Sequence, residues 1–314
     1  MEKMPAYRTA TVRVPATSAN MGPGFDALGM ALSMWNRLRV RWGGPARVVV
    51  HGRGEGELPA DATNLTYRAA QRVLDEYGAG DAGLTIESWQ EIPLSSGLGS
   101  SSSAIVGGMF AANALLGFPA DLPRLLELAM EMEGHPDNVA PALVGGVTVA
   151  VRDGERVYAA PLPAPDDLQC VALVPDVRVL TAEARAVLAP TVSRADAVYN
   201  IGRAALLAAA LTTNHPEYLR VATQDRLHQQ ARERVFPAMK HVFRNAMSAG
   251  ARGVYLSGAG PSVVALTTRE ERRAQTIGYE MADAADKAGV GGTFYVLEPA
   301  NTGAQVLALG VEGP

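Results

Sequence analysis

The 314-residue chain is poor in several features that would each have fixed its class. It has a single cysteine, Cys170, so no intramolecular disulfide can form, which suits a reducing cytosol. It has no long apolar run. The longest, AALLAAAL at 204–211, directly follows Arg203 and falls far short of the ~20 residues a membrane span needs. The opening MEKMPAYRTATVRVPATSAN lacks the apolar segment of a signal peptide, so a cytoplasmic location and no membrane partner are expected. Positive charge is not in excess: 28 Lys+Arg against 32 Asp+Glu leave −4, with no basic run, which argues against nucleic acid as a partner. Apolar residues, at 48%, are plentiful enough for a normal core, and this excludes wholesale disorder.

Glycine (32) and proline (20) together exceed the usual ~12%, and they cluster. Between the clusters, Val12 and Val14 alternate with polar residues, and Leu38, Val40 and Trp42 alternate with Arg37, Arg39 and Arg41, as in half-buried strands. Further strands are expected at 47–51, 84–88, 145–151 and 169–174, with Pro161, Pro163 and Pro165 in a loop between the last two. Asn64 and Asp121 read as N-caps of two helices, the second ending at Gly134-His135-Pro136. The second half alternates helices at 182–188, 195–212, 216–230, 237–249 and 269–288 with strands at 253–257, 262–267 and 293–297. This order suggests an α+β protein of two domains, 1–160 and 161–314.

Three glycine-rich segments stand out. Pro93-Leu-Ser-Ser-Gly-Leu-Gly-Ser-Ser-Ser-Ser-Ala104 leaves a strand and enters an apolar helix. Its glycines permit close backbone approach, and the helix start offers free N–H groups to an anion. A flexible linker would have neither flank. The segment is neither a Walker A loop nor a Rossmann fingerprint, since it lacks Gly-Lys-Ser/Thr and a third glycine in place. The other two are Pro15-Ala-Thr-Ser-Ala-Asn-Met-Gly-Pro-Gly-Phe-Asp26-Ala-Leu-Gly29, which on its own is also readable as an ordinary turn, and Ser257-Gly-Ala-Gly-Pro-Ser262.

Together the three resemble the motifs of the GHMP kinases, small-molecule kinases named for galactose, homoserine, mevalonate and phosphomevalonate. Within that family the N-terminal segment Pro15–Gly29, Gly134-His-Pro-Asp-Asn-Val-Ala-Pro141, Thr181-Ala-Glu-Ala-Arg185, and Leu227-His-Gln with Arg232 and Pro237 are most similar to the branch that phosphorylates homoserine. The resemblance runs from about residue 10 to 298.

It implies a GHMP kinase fold: an N-terminal α/β domain like domain 2 of ribosomal protein S5, a C-terminal ferredoxin-like α+β domain, and a cleft between them. It implies ATP and Mg²⁺ as cofactors and L-homoserine as the small-molecule acceptor, phosphorylated on the way to threonine. Pro93, Leu94, Ser95, Ser96, Gly97, Leu98, Gly99, Ser100, Ser101, Ser102 and Ser103 match the loop around the triphosphate, and Asn64 matches a position near the adenine. Ser101 matches a Mg²⁺ ligand, with Glu131 or Glu133 as the second and Glu131 preferred. Asn20, Asp26, His135, Asn138, Thr181, Arg185, Arg232 and Gly260 match the acceptor pocket, with Arg234 as a substitute for Arg232. Asp137 and Asn138 join Ser101 as catalytic candidates, and the hydroxyl proton goes either to a side chain or directly to the phosphoryl group. The pocket set favours an amino acid over a mevalonate-type acceptor, and the intact phosphate loop favours a catalyst over a ligand sensor. The oligomeric state, a homodimer included, is left open.

Overall fold

The structure, a computed structural model, describes residues 4–80 and 83–311. The chain runs through β1 (Thr9–Ala19), β2 (Leu28–Trp42), β3 (Arg47–Gly52), α1 (Leu65–Glu76), β4 (Leu84–Gln90), α2 (Ser100–Leu115), α3 (Leu122–Glu133), α4 (Pro136–Val144), β5 (Val147–Asp153) and β6 (Arg156–Leu162). It continues through β7 (Leu168–Val174), α5 (Thr181–Ala186), α6 (Arg194–Thr212), α7 (Leu219–Ala222), α8 (Gln229–Arg232), α9 (Met239–Ser248), β8 (Gly253–Leu256), β9 (Val263–Thr268), α10 (Ala274–Lys287), β10 (Thr293–Leu297) and β11 (Gln305–Gly310).

The first sheet orders its strands β11-β1-β2-β4-β3, with β5 and β6 continuing from the start of β2. Alternation decides its faces: Leu38 and Val40 are buried under α1 and α2, while Arg37, Arg39 and Arg41 face out. The second sheet is antiparallel, order β10-β7-β9-β8, with α9 and α10 packed on one side. Numbered from β7, that order is 4-1-3-2, the ferredoxin-like arrangement. The ends of the long β1–β2 ribbon (Ala16, Met30, Leu32) share a core with Cys170, Leu207, Tyr255 and Val264. The two sheets are therefore joined by apolar packing rather than by a linker.

Several expectations need correction. The division at 160/161 places β11 in the second half, yet β11 pairs with β1 in the first sheet. Pro161 lies in strand β6, not in a loop. That strand pairs only with β5, and an edge tolerates a residue with no N–H. The single helix expected over 216–230 is broken, because the Asp225 carboxylate accepts the N–H groups of Leu227, His228 and Gln229 and forces a new helix start. The helix expected from 269 starts at Ala274, after Glu271 has turned back to bond Thr267 and Thr268 and Arg272 has taken φ +52°. The segment after Pro136 forms a helix of its own, α4, where only a helix stop was expected; Pro136 suits its first turn. Among the described residues no helix is long and apolar enough to cross a membrane.

Candidate active site

The three glycine-rich segments meet around one cleft of about 500 Å³. Gly258 N–H donates to Ala19 O, and Ser18 Oγ lies 2.7 Å from Ser257 Oγ. Ser262 N–H donates to Ser96 O, and Ser257 Oγ to Gly97 O at 2.7 Å. The approach is close enough to demand glycine. A Cβ on Gly97 (φ +87°) would lie 2.4 Å from Ser257 O, and one on Gly99 (φ +71°) would lie 1.9 Å from Thr17 Oγ1.

At one end of the cleft, Leu94, Ser95, Ser96, Gly97, Gly99, Ser100 and Ser101 form a wall at the N-terminus of α2. That helix has no acidic residue of its own in its first turn, and its dipole and free N–H groups face the cleft. Four of the expected loop residues are not on this wall. Pro93 and Leu98 are buried, Ser103 accepts from Asn36 Nδ2 at 3.2 Å, and Ser102 turns to Glu133. Beyond the loop, Val48, Val50, Leu58, Pro59 and Leu65 line an apolar slot that sequence reasoning missed, because its residues come from three separate segments. Asn64 borders the slot, but its amide is committed: Oδ1 caps Thr66 N–H and Nδ2 donates to Pro59 O. It shapes the slot rather than reaching into it.

The geometry does not favour Glu131, the residue preferred from the sequence. Glu131 is half-exposed and pairs with Arg72 at 3.2 Å. Glu133 lines the cleft, and its Oε1 accepts from both Ser101 Oγ and Ser102 Oγ at 2.8 Å. One carboxylate and hydroxyl oxygens beside an anion site form a donor set that fits Mg²⁺, which is usually held by one or two carboxylates plus substrate phosphates.

At the other end, Asp26 and Arg185 form a bidentate pair with N···O distances of 2.6 and 3.0 Å, and this hydrogen bond raises the Arg185 pKa. Thr181, one turn earlier on α5, also lines the cleft, as do Asn20, His135, Asn138 and Gly260. Arg232 is buried at the end of α8 and reaches the cleft, whereas Arg234 is exposed and away from it. Arg232 Nε donates to Ala184 O at 3.2 Å and Nη1 to Gly258 O at 2.8 Å. Burial, with Arg185 nearby, pushes its pKa down to about 10. Asn20 donates from Nδ2 to Gly258 O and accepts from Asp26 N–H, so it holds the first loop in shape. Asn138 Oδ1 accepts from Thr17 Oγ1 at 2.7 Å. Asp137 is buried in the first turn of α4, 2.8 Å from His135 Nδ1. Burial opposes charge on His135, but the Asp137 hydrogen bond and the Asp137 and Glu133 charges prevail and raise its pKa.

Two family descriptions match the chain: "GHMP kinases N terminal domain" over residues 64–146 and "GHMP kinases C terminal" over 195–286. The homoserine kinase of Moorella thermoacetica is 42% identical over 94% of this chain and 99% of its own length. That of Desulfitobacterium hafniense is 40% identical over the same shares. The crystal structure of homoserine kinase from Cytophaga hutchinsonii superimposes with a TM-score of 0.86 at 34% identity, covering 96% of this chain and 98% of that one. L. major mevalonate kinase in complex with R-mevalonate shares the fold, with a TM-score of 0.72 at 17% identity over 95% of this chain and 99% of its own.

Proposed function

The chain belongs to the GHMP kinase family, and from that premise we propose that it is an ATP:L-homoserine phosphotransferase, forming O-phospho-L-homoserine and ADP. The observation that carries this reading is the charge at the acceptor end. Asp26, Arg185 and Arg232 meet at the end of the cleft remote from the apolar slot. A zwitterionic amino acid complements that set. Its ammonium replaces Arg185 on Asp26, and its carboxylate takes the freed guanidinium and Arg232 with charge-assisted bonds. A sugar or a mevalonate has no ammonium to offer Asp26.

The adenine lies in the slot of Val48, Val50, Leu58, Pro59 and Leu65, and the triphosphate over Leu94–Ser101 at the α2 N-terminus. Ser101 and Glu133 would hold Mg²⁺, which neutralises charge on the phosphates when bound. Phosphoryl transfer depends chiefly on positioning and charge stabilisation, so the loop amides supply most of the effect. Asn138 orients the acceptor, and Asp137 takes its hydroxyl proton, with His135 as its hydrogen-bonded partner. Asp137→Asn should lower kcat by about 10²- to 10⁴-fold. A kcat within a few fold of wild type would instead send the proton directly to the phosphoryl oxygen. The function itself is tested by coupled ADP release with L-homoserine, mevalonate and galactose offered in parallel. Turnover with homoserine alone is expected, and preference for either of the others would refute the reading.

A further inference from the structure

His228 lies behind the acceptor end, about 1% exposed, and does not line the cleft. Its two ring nitrogens have different partners. Nε2 is 2.7 Å from Gly22 O, so Nε2 carries the proton. Nδ1 is 3.0 Å from Arg232 Nη1, a group that can only donate, so Nδ1 is bare. The imidazole is therefore neutral and locked in one tautomer, and its burial, which lowers its pKa, agrees with that. Its support is built in. Asp225 binds the backbone N–H of His228 and of both its neighbours in the Leu227-His228-Gln229 motif, and also accepts from Asn200 Nδ2 at 2.7 Å. Phe25 packs against the ring, centroids 5.1 Å apart.

Arg232 is thus gripped on three sides, by Ala184 O, Gly258 O and His228 Nδ1, through Nε and Nη1 alone. Its Nη2 group is the part left for a ligand, and the residue borders the cleft. Without the bare nitrogen, one buried N–H of Nη1 has no acceptor, and the guanidinium is free to turn Nη2 out of line with a bound carboxylate.

We propose that His228 is a positioning residue for acceptor selectivity: it keeps Arg232 turned so that Nη2 meets a carboxylate, and the enzyme therefore prefers acceptors that carry one. This rests on the reading that homoserine occupies this end of the cleft. The test compares L-homoserine with 3-amino-1-propanol, which keeps the amine and hydroxyl but has no carboxylate, as substrate or as competitor. Two variants separate the ring's roles. The H228Q amide nitrogen can still serve Gly22 O but puts no acceptor beside Arg232, whereas the H228N amide oxygen falls near the Nδ1 position.

H228Q is expected to lower kcat/KM for homoserine by about 10- to 100-fold, mainly through KM, the loss that goes with one hydrogen bond to a charged group. KM for ATP and the response to 3-amino-1-propanol should hold, and H228N should recover most of the loss. Equal losses for both acceptors, or H228N no better than H228Q at the same thermal midpoint, would overturn the assignment. If H228Q does not fold, H228N decides alone. A homoserine-to-aminopropanol ratio within about threefold of wild type supports the role, and a collapsed ratio in the folded protein overturns it. Wild-type protein that releases no ADP with homoserine would instead refute the substrate reading.

Discussion

At the end of the cleft proposed to hold the phosphates, the lining is backbone and serine hydroxyls from one stretch, Leu94–Ser101. At the end proposed for the acceptor, charged side chains from segments far apart line the cleft: Asp26, Asp137, Arg185 and Arg232. The first end is made by chain conformation, which glycine dictates locally. The second is made by long-range hydrogen bonds, in which Asp26 and Arg185 neutralise each other. A backbone-built site should therefore fail through sterics, and a side-chain-built one through lost charge.

A large effect expected from that contrast is at Gly97. Its Cβ in Gly97→Ala would meet the Ser257 and Gly260 carbonyls at 2.4 and 3.0 Å, and backbone cannot yield as a side chain can. A displacement of about 1 Å costs on the order of 10²-fold in rate, so kcat/KM for ATP should fall by that much with KM for homoserine little changed. Near-normal ATP kinetics would show that the loop is not pinned there. Next is the acidic pair on α3. Glu133→Ala should raise the Mg²⁺ concentration for half-maximal activity by about 10-fold or more, comparable to losing a group that supports a metal. Glu131→Ala should cost only the ~0.2–1 kcal/mol of a surface ion pair, read as a small drop in thermal midpoint. The reverse pattern would restore Glu131 as ligand.

Glu131 and Glu133 also mark where the sequence stops being legible. Two residues turn a helix by about 200°, so they occupy opposite faces of α3. Which face meets Ser101 depends on how α3 packs against α2, which no local pattern encodes. By contrast, Asn64 and Asp121 act as N-caps as read, because a cap is a contact within three residues. The glycine-rich loop running into α2 was readable for the same reason. Arg232 over Arg234 needed the burial of α8 to decide it, and the Asp225 turn that breaks the expected helix at 216–230 is stabilised partly by Asn200, from another helix. Strand β11 joins its sheet only through pairing with β1, nearly 300 residues earlier in the chain.

The smallest effect is at the His135–Asp137 contact. A histidine whose folded pKa is raised above 6.5 contributes stability that is complete below the unfolded value and lost as pH rises through the folded one. The gap in thermal midpoint between wild type and His135→Gln should therefore be wider at acidic than at alkaline pH. A gap that widens toward high pH would mean that the contact does not favour charged His135.

The central claim, that the two ends serve different substrates, is tested most directly by steady-state kinetics of wild type, S101A and R232A, with L-homoserine and MgATP varied separately. R232A should lower kcat/KM for homoserine by about thirty- to several-thousand-fold, from the ~2–5 kcal/mol cost of breaking a desolvated charge pair, with KM for ATP unchanged. S101A should lower kcat and weaken the Mg²⁺ dependence while KM for homoserine holds. A large rise in KM for ATP in R232A, with homoserine unaffected, would put Arg232 on the nucleotide and contradict the account.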